Sequence, residues 1–410
     1  MMSVAIIGAG IVGLSSATFL RREGHAVTLI DPLSAGGGAS YGNAGMISVD
    51  STVPMAMPGM LKNVPKWLSD PTGPLFVDPK YFPKAFPWLL KWANAGRMPN
   101  VRTASAGLKQ LHASALDHYR ELLGPADFAD LIRVTGQIHI WDSDKLSVSE
   151  RVAETLRNEQ GITVEALSQE ALREQIPELS HNIKRALLFP RNGNAVNPHR
   201  LMQTLARRLR QDGADIIQER AMRIFPQDGK FRVMTNLSEY SFDRVVVAAG
   251  AWSQALLSPL NVKLPLETER GYHIQIEEPG INVEMPVLHK GRGFSTSPME
   301  MGLRFAGTVE IAGLNAPPNE QRGQALLSHA RALYPNLKTD NYKLWLGFRP
   351  SFPDSLPVID EVAELPGLYT AFGHGHTGLT GGPSTGKLIS QIVSGTQPFI
   401  DAAPYRLSRF

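Results

Sequence analysis

Apolar positions along this chain switch between two periods. Residues 4–7 form a continuous apolar run, read as a buried strand, and from Ile11 through Leu20 apolar residues return at helical spacing until Gly24 closes the pattern. Residues 27–30 are a second apolar run with Asp31 at its tip, so the chain opens as strand, helix, strand. Helical spacing reappears over 101–123, where Leu108, Leu111, Ala115, Leu116 and Tyr119 recur, over 145–160, and from Asn197-Pro198 to Gly213 with Leu201, Leu205 and Leu209 on one face. Residues 137–141, 215–218, 231–234 and 244–249 read as strands. From 263 to 312 the apolar runs lengthen and are punctuated by Pro and Gly, as in an antiparallel sheet. A helix over 320–334, a strand over 368–372 and a helix over 382–394 complete the pattern. These elements predict an α/β chain, α+β overall. A discontinuous nucleotide-binding domain (1–50, 186–262 and 346–410) is interrupted by a mixed or antiparallel-sheet substrate domain (51–185 and 263–345).

Chemistry enters at the first turn. Gly8, Gly10 and Gly13 follow the first strand with the G-x-G-x-x-G spacing. Gly8 permits the tight turn, Gly10 lets the backbone approach a pyrophosphate, and Gly13 lets the helix pack on the strand. Ala9, Ile11 and Val12 between them supply backbone at the helix N-terminus, where free N–H groups and the dipole favour anions. Asp31, followed by Pro32, is placed to accept from a ribose hydroxyl, and its charge disfavours a 2′-phosphate there. Strand, helix, second strand and acid together indicate a bound adenine dinucleotide.

Composition narrows the class. With 410 residues and 43% hydrophobic content the chain is long enough for two cored domains. The net charge of +3 comes from scattered Lys and Arg, so no nucleic-acid partner is indicated. Zero Cys excludes disulfides, a thiolate metal site, a Cys nucleophile and a flavin attached through Cys, and it fits a cytoplasmic setting. No metal site is expected, because the two histidines of the C-terminal glycine turn lack a third ligand. The N-terminus has no positive n-region, so the fold is expected to start near residue 1. Residues 53–93 stand apart: repeated Pro is expected to break up any long helix, while Trp67, Trp88 and Trp92 lie near Lys62, Lys66, Lys84 and Lys91. Two readings stay open, an interfacial surface lying on a membrane and an excursion packed over the active site.

Three further constellations depart from a simple NAD dehydrogenase. Residues 36–47 concentrate glycine and small residues around Ser40, Asn43, Ala44, Gly45 and Met46, which suits close approach of backbone to a flat ring system. The strand at 244–249 ends in Ala249, Gly250, Ala251 and Trp252. Near the C-terminus a strand runs into Gly373, His374, Gly375, His376, Gly378, Leu379 and Thr380, a turn and helix start able to stabilise negative charge on a reduced flavin.

With these motifs, with Ser40-x-x-Asn43-Ala44-Gly45, and with Gly347-Phe348-Arg349-Pro350 followed by Pro353-Asp354, the chain resembles the FAD-dependent amino-acid oxidoreductases of the D-amino-acid oxidase superfamily. It is most similar to bacterial D-amino acid and hydroxyproline dehydrogenases, and the resemblance runs nearly end to end. It implies a Rossmann-like domain holding FAD non-covalently, with Asp31 on the adenosine ribose although Glu is commoner there. It also implies Ala44, Gly45 and Met46 lining the flavin, Met222 giving main-chain contacts near adenine, and His374 touching the cofactor. Arg349 is implied as the clamp on the substrate carboxylate, and a planar, bidentate, always charged guanidinium suits that task. His376 is expected to orient the amine or contact the flavin. Tyr272, His273 and Arg304 are weaker candidates for the pocket wall.

The expected reaction is oxidative deamination: the amine loses a proton, the Cα hydride passes to flavin N5, and the imine hydrolyses to a 2-oxo acid. No strong side-chain base is called for. D-Amino acids and cis-hydroxy-D-proline are the expected substrates, with glycine and N-methyl amino acids open. Electrons are expected to pass to a quinone or another acceptor, since 53–93 resembles the segment of quinone-linked membrane-associated dehydrogenases; a peripheral inner-membrane contact through it is one of the two open readings. An oxidase using dioxygen, a non-catalytic electron-transfer subunit and a pyridine-nucleotide dehydrogenase are the competing readings.

Overall fold

The structure, a computed structural model, describes residues 1–70 and 73–410, without the side chains of Lys66 and Ser69. Pro71 and Thr72 of the proline-rich segment lie outside the described residues. The opening unit forms as expected: strand β1 (Ser3–Ile7), helix α1 (Ile11–Arg22) and strand β2 (Ala26–Ile30), with Gly24 in the left-handed region at the reversal. β1 and β2 pair in parallel and centre a six-stranded sheet. Its order runs Asp215–Ile217, β2, β1, Arg244–Val247, Leu368–Phe372, Val358–Glu361, parallel except for the last strand. Val4, Ile6, Leu14, Leu20 and Leu29 are fully buried on one face, and Ala5, Val245, Val247 and Val358 on the other. Burial on both faces explains why these strands read as continuous apolar runs instead of alternating ones.

The second layer is a nine-stranded mixed sheet. Its long strands are β3 (Glu267–Ile276), β4 (Gly302–Ile311) and β5 (Tyr342–Ser351), with β3 central and antiparallel to both. One face of β3 carries Tyr272, Ile274 and Ile276 into an apolar core with Phe305, Leu326 and Leu333, beneath the helix Glu320–Leu333. The opposite face carries Glu267, Glu269, Gly271, His273 and Gln275, cross-strand to Ser351, Arg349, Gly347, Trp345 and Lys343. That polar face is turned toward the six-stranded sheet and its glycine turns, as the contacts of His273 and Glu269 given below demonstrate.

The C-terminal helix α2 (Gly378–Ser394) starts four residues earlier than its apolar spacing predicts, taking in the glycine turn itself. It lies parallel against α1 through small residues: a Cβ at Gly382 would fall 2.8 Å from the Ile11 side chain, and one at Gly386 2.5 Å from Ser15. The region expected as one helix over 101–123 is two, Met98–His112 and Ala115–Leu131, the second kinked at Gly124 before Pro125.

The proline-rich segment corrects another expectation. A helix of 14 residues, Phe82–Ala95, forms there. Pro83 falls in its first turn, where the missing N–H costs nothing, and Pro87 is accommodated inside it.

Candidate active site

Two helix N-termini and a glycine turn form a cradle. Gly8 has φ +115°, and a Cβ there would fall 2.4 Å from the Ala248 carbonyl oxygen; a Cβ at Gly13 would fall 1.9 Å from the Gly8 oxygen. Both glycines are therefore fixed by close backbone approach. No side chain caps α1 at Gly10, and the Ile11 N–H donates to the Ser40 hydroxyl at 3.0 Å. Asp31 accepts from the Ala9 N–H and the Leu33 N–H, each at 2.8 Å, so it stiffens the glycine turn while each oxygen keeps a lone pair for a hydroxyl. Burial pushes its carboxyl up, opposed by those two bonds. Ala248 and Ala249 lie against Gly8, and Gly250 follows at φ +55°. Helix α2 also begins without a side-chain cap, at Thr377. The packing of α2 on α1 thus brings two N-termini whose N-cap residues supply no side-chain cap to one region, the arrangement a polyanionic dinucleotide requires.

The loop at 41–45 is pressed onto the polar face of the large sheet. His273 Nδ1 meets the Gly42 carbonyl at 2.9 Å and its ring stacks on Trp345 with centroids 5.0 Å apart. Arg304 donates to the Asn43 carbonyl at 2.7 Å and the Tyr41 carbonyl at 3.3 Å. Burial lowers His273 to about 3 and Arg304 to about 10, leaving the first neutral and the second charged near neutral pH. Asn43 folds back to accept from the Gly45 N–H at 2.8 Å, and a Cβ at Gly45 would fall 2.7 Å from the Ala195 oxygen. The backbone of 44–46 is thereby fixed beside the cradle.

On the same face Arg349, Glu269 and His376 converge. The Arg349 guanidinium crosses over Gly271, where a Cβ would sit 2.1 Å from it, and its Nη1 donates to the Thr308 carbonyl at 2.9 Å. Thr308 has φ +61°, a conformation costly for a β-branched residue, beside the β3–β4 register shift at Arg270/Tyr272. That strain turns the carbonyl toward Arg349. Burial lowers the Arg349 pKa and Glu269 raises it; its remaining donors have no partner among the described residues. Glu269 is buried, and its Oε2 lies 2.6 Å from His376 Nε2. Burial pushes the Glu269 carboxyl up, but His376 and Arg349 outweigh it and hold it below the usual range. The His376 side chain keeps 30% of its surface open. A cation with free donors, a buried carboxylate and an accessible imidazole thus meet where the large sheet faces the start of α2. That is a geometry suited to a small zwitterion.

Residues 3–392 match the family model of the FAD dependent oxidoreductases known as DAO. The chain belongs to this family. It is 39% identical to a D-amino-acid oxidase of Bradyrhizobium diazoefficiens, covering 99% of this chain and 98% of that one. It is 30% identical to a D-amino acid dehydrogenase of Allorhizobium ampelinum, over 100% and 99%. Its fold matches the crystal structure of glycine oxidase from Geobacillus kaustophilus with a TM-score of 0.73 and 22% identity, covering 100% and 99% of the two chains. This DAO-family flavoprotein uses FAD, and the cradle fits that group: glycine turns that a Cβ would fill, two helix N-termini without a cap from their own N-cap residues, and a carboxylate with lone pairs to spare.

The other sequence-predicted residues fall in several places in this flavoenzyme. Leu379 and Thr380 are buried in the first turn of α2, and Thr380 Oγ1 accepts from the Ser48 N–H at 3.0 Å, tying that turn to the strand that Met46 starts. Gly375 has φ +52° at the turn. The His374 ring is directed into the core, 2.7 Å from Thr385 Oγ1, and burial lowers it to about 3. Trp252 is half exposed and packs edge-on to Phe348, the neighbour of Arg349. Met222 is exposed beside a register shift between Ala221 and Arg223. Tyr272 does not wall the pocket. It lies on the core face, its hydroxyl 2.7 Å from Glu310, because strand alternation sets it opposite Glu269 and Gly271. His273 and Arg304 hold the 41–45 loop. Glu269, Gly271 and Thr308 have no sequence signature, since each is defined by a partner far away in the chain.

Proposed function

We propose that this protein oxidises amino acids, D-amino acids in first place, to 2-oxo acids and ammonia. Arg349 is the carboxylate anchor, and the observation that carries the reading is its guanidinium, fixed by Thr308 yet with free donors, beside the Glu269–His376 pair. FAD supplies the two-electron acceptor for the Cα hydride. Arg349 fixes the carboxylate, His376 with Glu269 meets the amine, and the strained Thr308 carbonyl holds the anchor in place, so the substrate loses orientational freedom before reaction. The relatives named D-amino acid dehydrogenase and D-amino-acid oxidase support the D-configuration. Anaerobic mixing with a panel of D-, L-, cyclic and N-methyl amino acids tests the reading by which ones bleach the flavin. Arg349→Ala should weaken binding of the preferred substrate about 10²-fold or more, the usual cost of truncating one partner of a close charge pair. Unchanged bleaching in that variant would return the protein to the class of electron-transfer subunits.

For the acceptor we favour a quinone reached from a membrane surface. Phe82, Phe86 and Leu90 recur at helical spacing on Phe82–Ala95, 44%, 46% and 55% exposed, with Leu61 and Leu68 nearby in sequence and also exposed. Exposed Lys62, Lys80, Lys84 and Lys91 accompany them, the combination that seats a helix on anionic lipid. The other side of the segment supports the packed reading as well: Trp88 is buried with its Nε1 on the Ser351 carbonyl, and Tyr81 reaches Glu267. Among the described residues no helix is long and apolar enough to cross a membrane. Dioxygen is the second reading, favoured by the 39% identity to a protein named an oxidase. Reoxidation of the reduced enzyme by a quinone analogue but not by air supports the quinone; fast aerobic turnover with stoichiometric peroxide supports dioxygen.

A further inference from the structure

We propose that His376 Nδ1 is the base that takes the proton from the substrate ammonium, and that Glu269 makes it one. This rests on the amino-acid reading above and adds to it a residue and a proton path. Oxidation through Cα needs the amine neutral, whereas an amino acid in solution near neutral pH carries an ammonium. Some group has to accept that proton.

The geometry selects one. Glu269 Oε2 lies 2.6 Å from His376 Nε2, and Glu269 is buried on the strand β3 while the His376 ring stays open on its other side. As a carboxylate facing the Arg349 guanidinium, Glu269 accepts hydrogen bonds only, so in the neutral ring Nε2 carries the proton and Nδ1 keeps its lone pair. Nδ1 has no partner among the described residues. The charged and titratable groups around the ring are few. β3 contributes Glu269, with Glu267 two residues away and bonded to Tyr81; β5 contributes Arg349; the turn itself contributes His374, which is held neutral and directed into the core. The first two turns of α2 contribute no charge.

The step balances. One ammonium N–H bond breaks and an Nδ1–H bond forms, giving an imidazolium between Glu269 and the substrate, whose carboxylate lies on Arg349. When bound, FAD would supply the acceptor for the Cα hydride and its electron pair; the substrate nitrogen lone pair would close the C=N bond, and water would hydrolyse that product to the 2-oxo acid and ammonia. The open side of the ring returns the proton to solvent. The transfer leaves the net charge of the site unchanged and places the new positive charge directly against the Glu269 carboxylate, which favours the imidazolium and so the neutral amine.

The test is the limiting rate of anaerobic flavin bleaching, measured on the FAD-loaded enzyme with the best amino acid of the panel. In wild type that rate should fall on the acid side, where an enzyme–substrate complex that already holds a proton at Nδ1 has no acceptor for the ammonium proton. His376→Asn should lose about 10²-fold or more at neutral pH and recover most of it by about pH 10, where the amine is already neutral in solution. Glu269→Gln should behave similarly, since an amide N–H donated to Nε2 moves the imidazole proton to Nδ1 and removes the lone pair. Benzoate, which presents a carboxylate and no amine, should bind His376→Asn within about threefold of wild type, reporting an intact anchor by an affinity ratio worth under 1 kcal/mol. A deficit equal at all pH values, or no deficit, overturns the proposal, and so does a flat wild-type profile even if neither variant folds. If no amino acid bleaches wild type, the functional reading itself falls.

Discussion

At the scale of single residues, the proposed carboxylate anchor depends on an absence. The Arg349 guanidinium occupies the space a side chain at position 271 would fill, with Gly271 at 2.1–2.2 Å from three of its atoms by the ideal Cβ position. Those are the far end of a flexible side chain, and they are the atoms nearest to that position. Gly271→Ala should therefore displace Arg349 without disturbing the strand. The expected result is at least tenfold weaker binding of benzoate, worth about 1.4 kcal/mol, with flavin affinity and thermal midpoint little changed. A parallel fall in thermal stability would mean that the backbone, not the guanidinium, gives way. Arg349 was legible in the sequence because it sits in a local motif, Gly347 to Pro350. Glu269 and Thr308 were not, because the first acts through His376, 107 positions away, and the second through a carbonyl aimed by its own strained backbone.

Elements were legible where local pattern and packing agree. The opening βαβ unit, the strands at 137–141 and 368–372 and the helix at 320–333 fall within a residue or so of their apolar runs. Where pattern and packing part, the expectation fails for identifiable reasons. The 101–123 region keeps helical spacing across Ser114, yet its chain breaks there so that His118 and Tyr119 can meet Ser384 and the Leu379 carbonyl on α2. Proline misled at 82–95, since one of the two falls in the first turn. That helix carries a testable feature of its own. Its outer residues Phe82, Phe86 and Leu90 contribute little to folding, being exposed, so the triple change Phe82→Ser, Phe86→Ser and Leu90→Ser should move stability by only about 1 kcal/mol or less. It should abolish sedimentation with anionic lipid vesicles while leaving flavin bleaching by amino acids intact. Retained sedimentation would assign the stripe to another partner.

At the scale of the whole molecule, the fold keeps a set of histidines uncharged, three of them around α2 and one on β3. Burial lowers His112 and His118 to about 4, and His273 and His374 to about 3, each while serving a neighbour: the Ser51 carbonyl, the Ser384 hydroxyl, the Gly42 carbonyl and the Thr385 hydroxyl. Three of them bear on the cradle, since Gly42 belongs to the loop at 41–45, His374 to the turn that starts α2, and His118 to a helix packed on it. In the unfolded chain each binds a proton near pH 6.5, whereas in the folded chain it does so only near pH 3–4. Their folded pKa values are depressed, so their contribution is complete above about pH 6.5 and is lost as the pH falls toward 4. Between those limits the unfolded state holds more protons, and stability drops by up to about 1.4 kcal/mol per pH unit for each histidine. Urea unfolding of the FAD-loaded protein should accordingly show a midpoint nearly constant above pH 7 and falling steeply between about pH 6 and pH 5, with bound flavin released in the same transition. His374→Gln retains a hydrogen-bonding partner for Thr385 and removes one titrating ring, so its loss of stability across that interval should be shallower than wild type by close to one proton. A midpoint flat from pH 7 to 5 would mean that these rings are already solvated, and that the two helix N-termini are held together by the glycine and serine contacts of α1 with α2 alone.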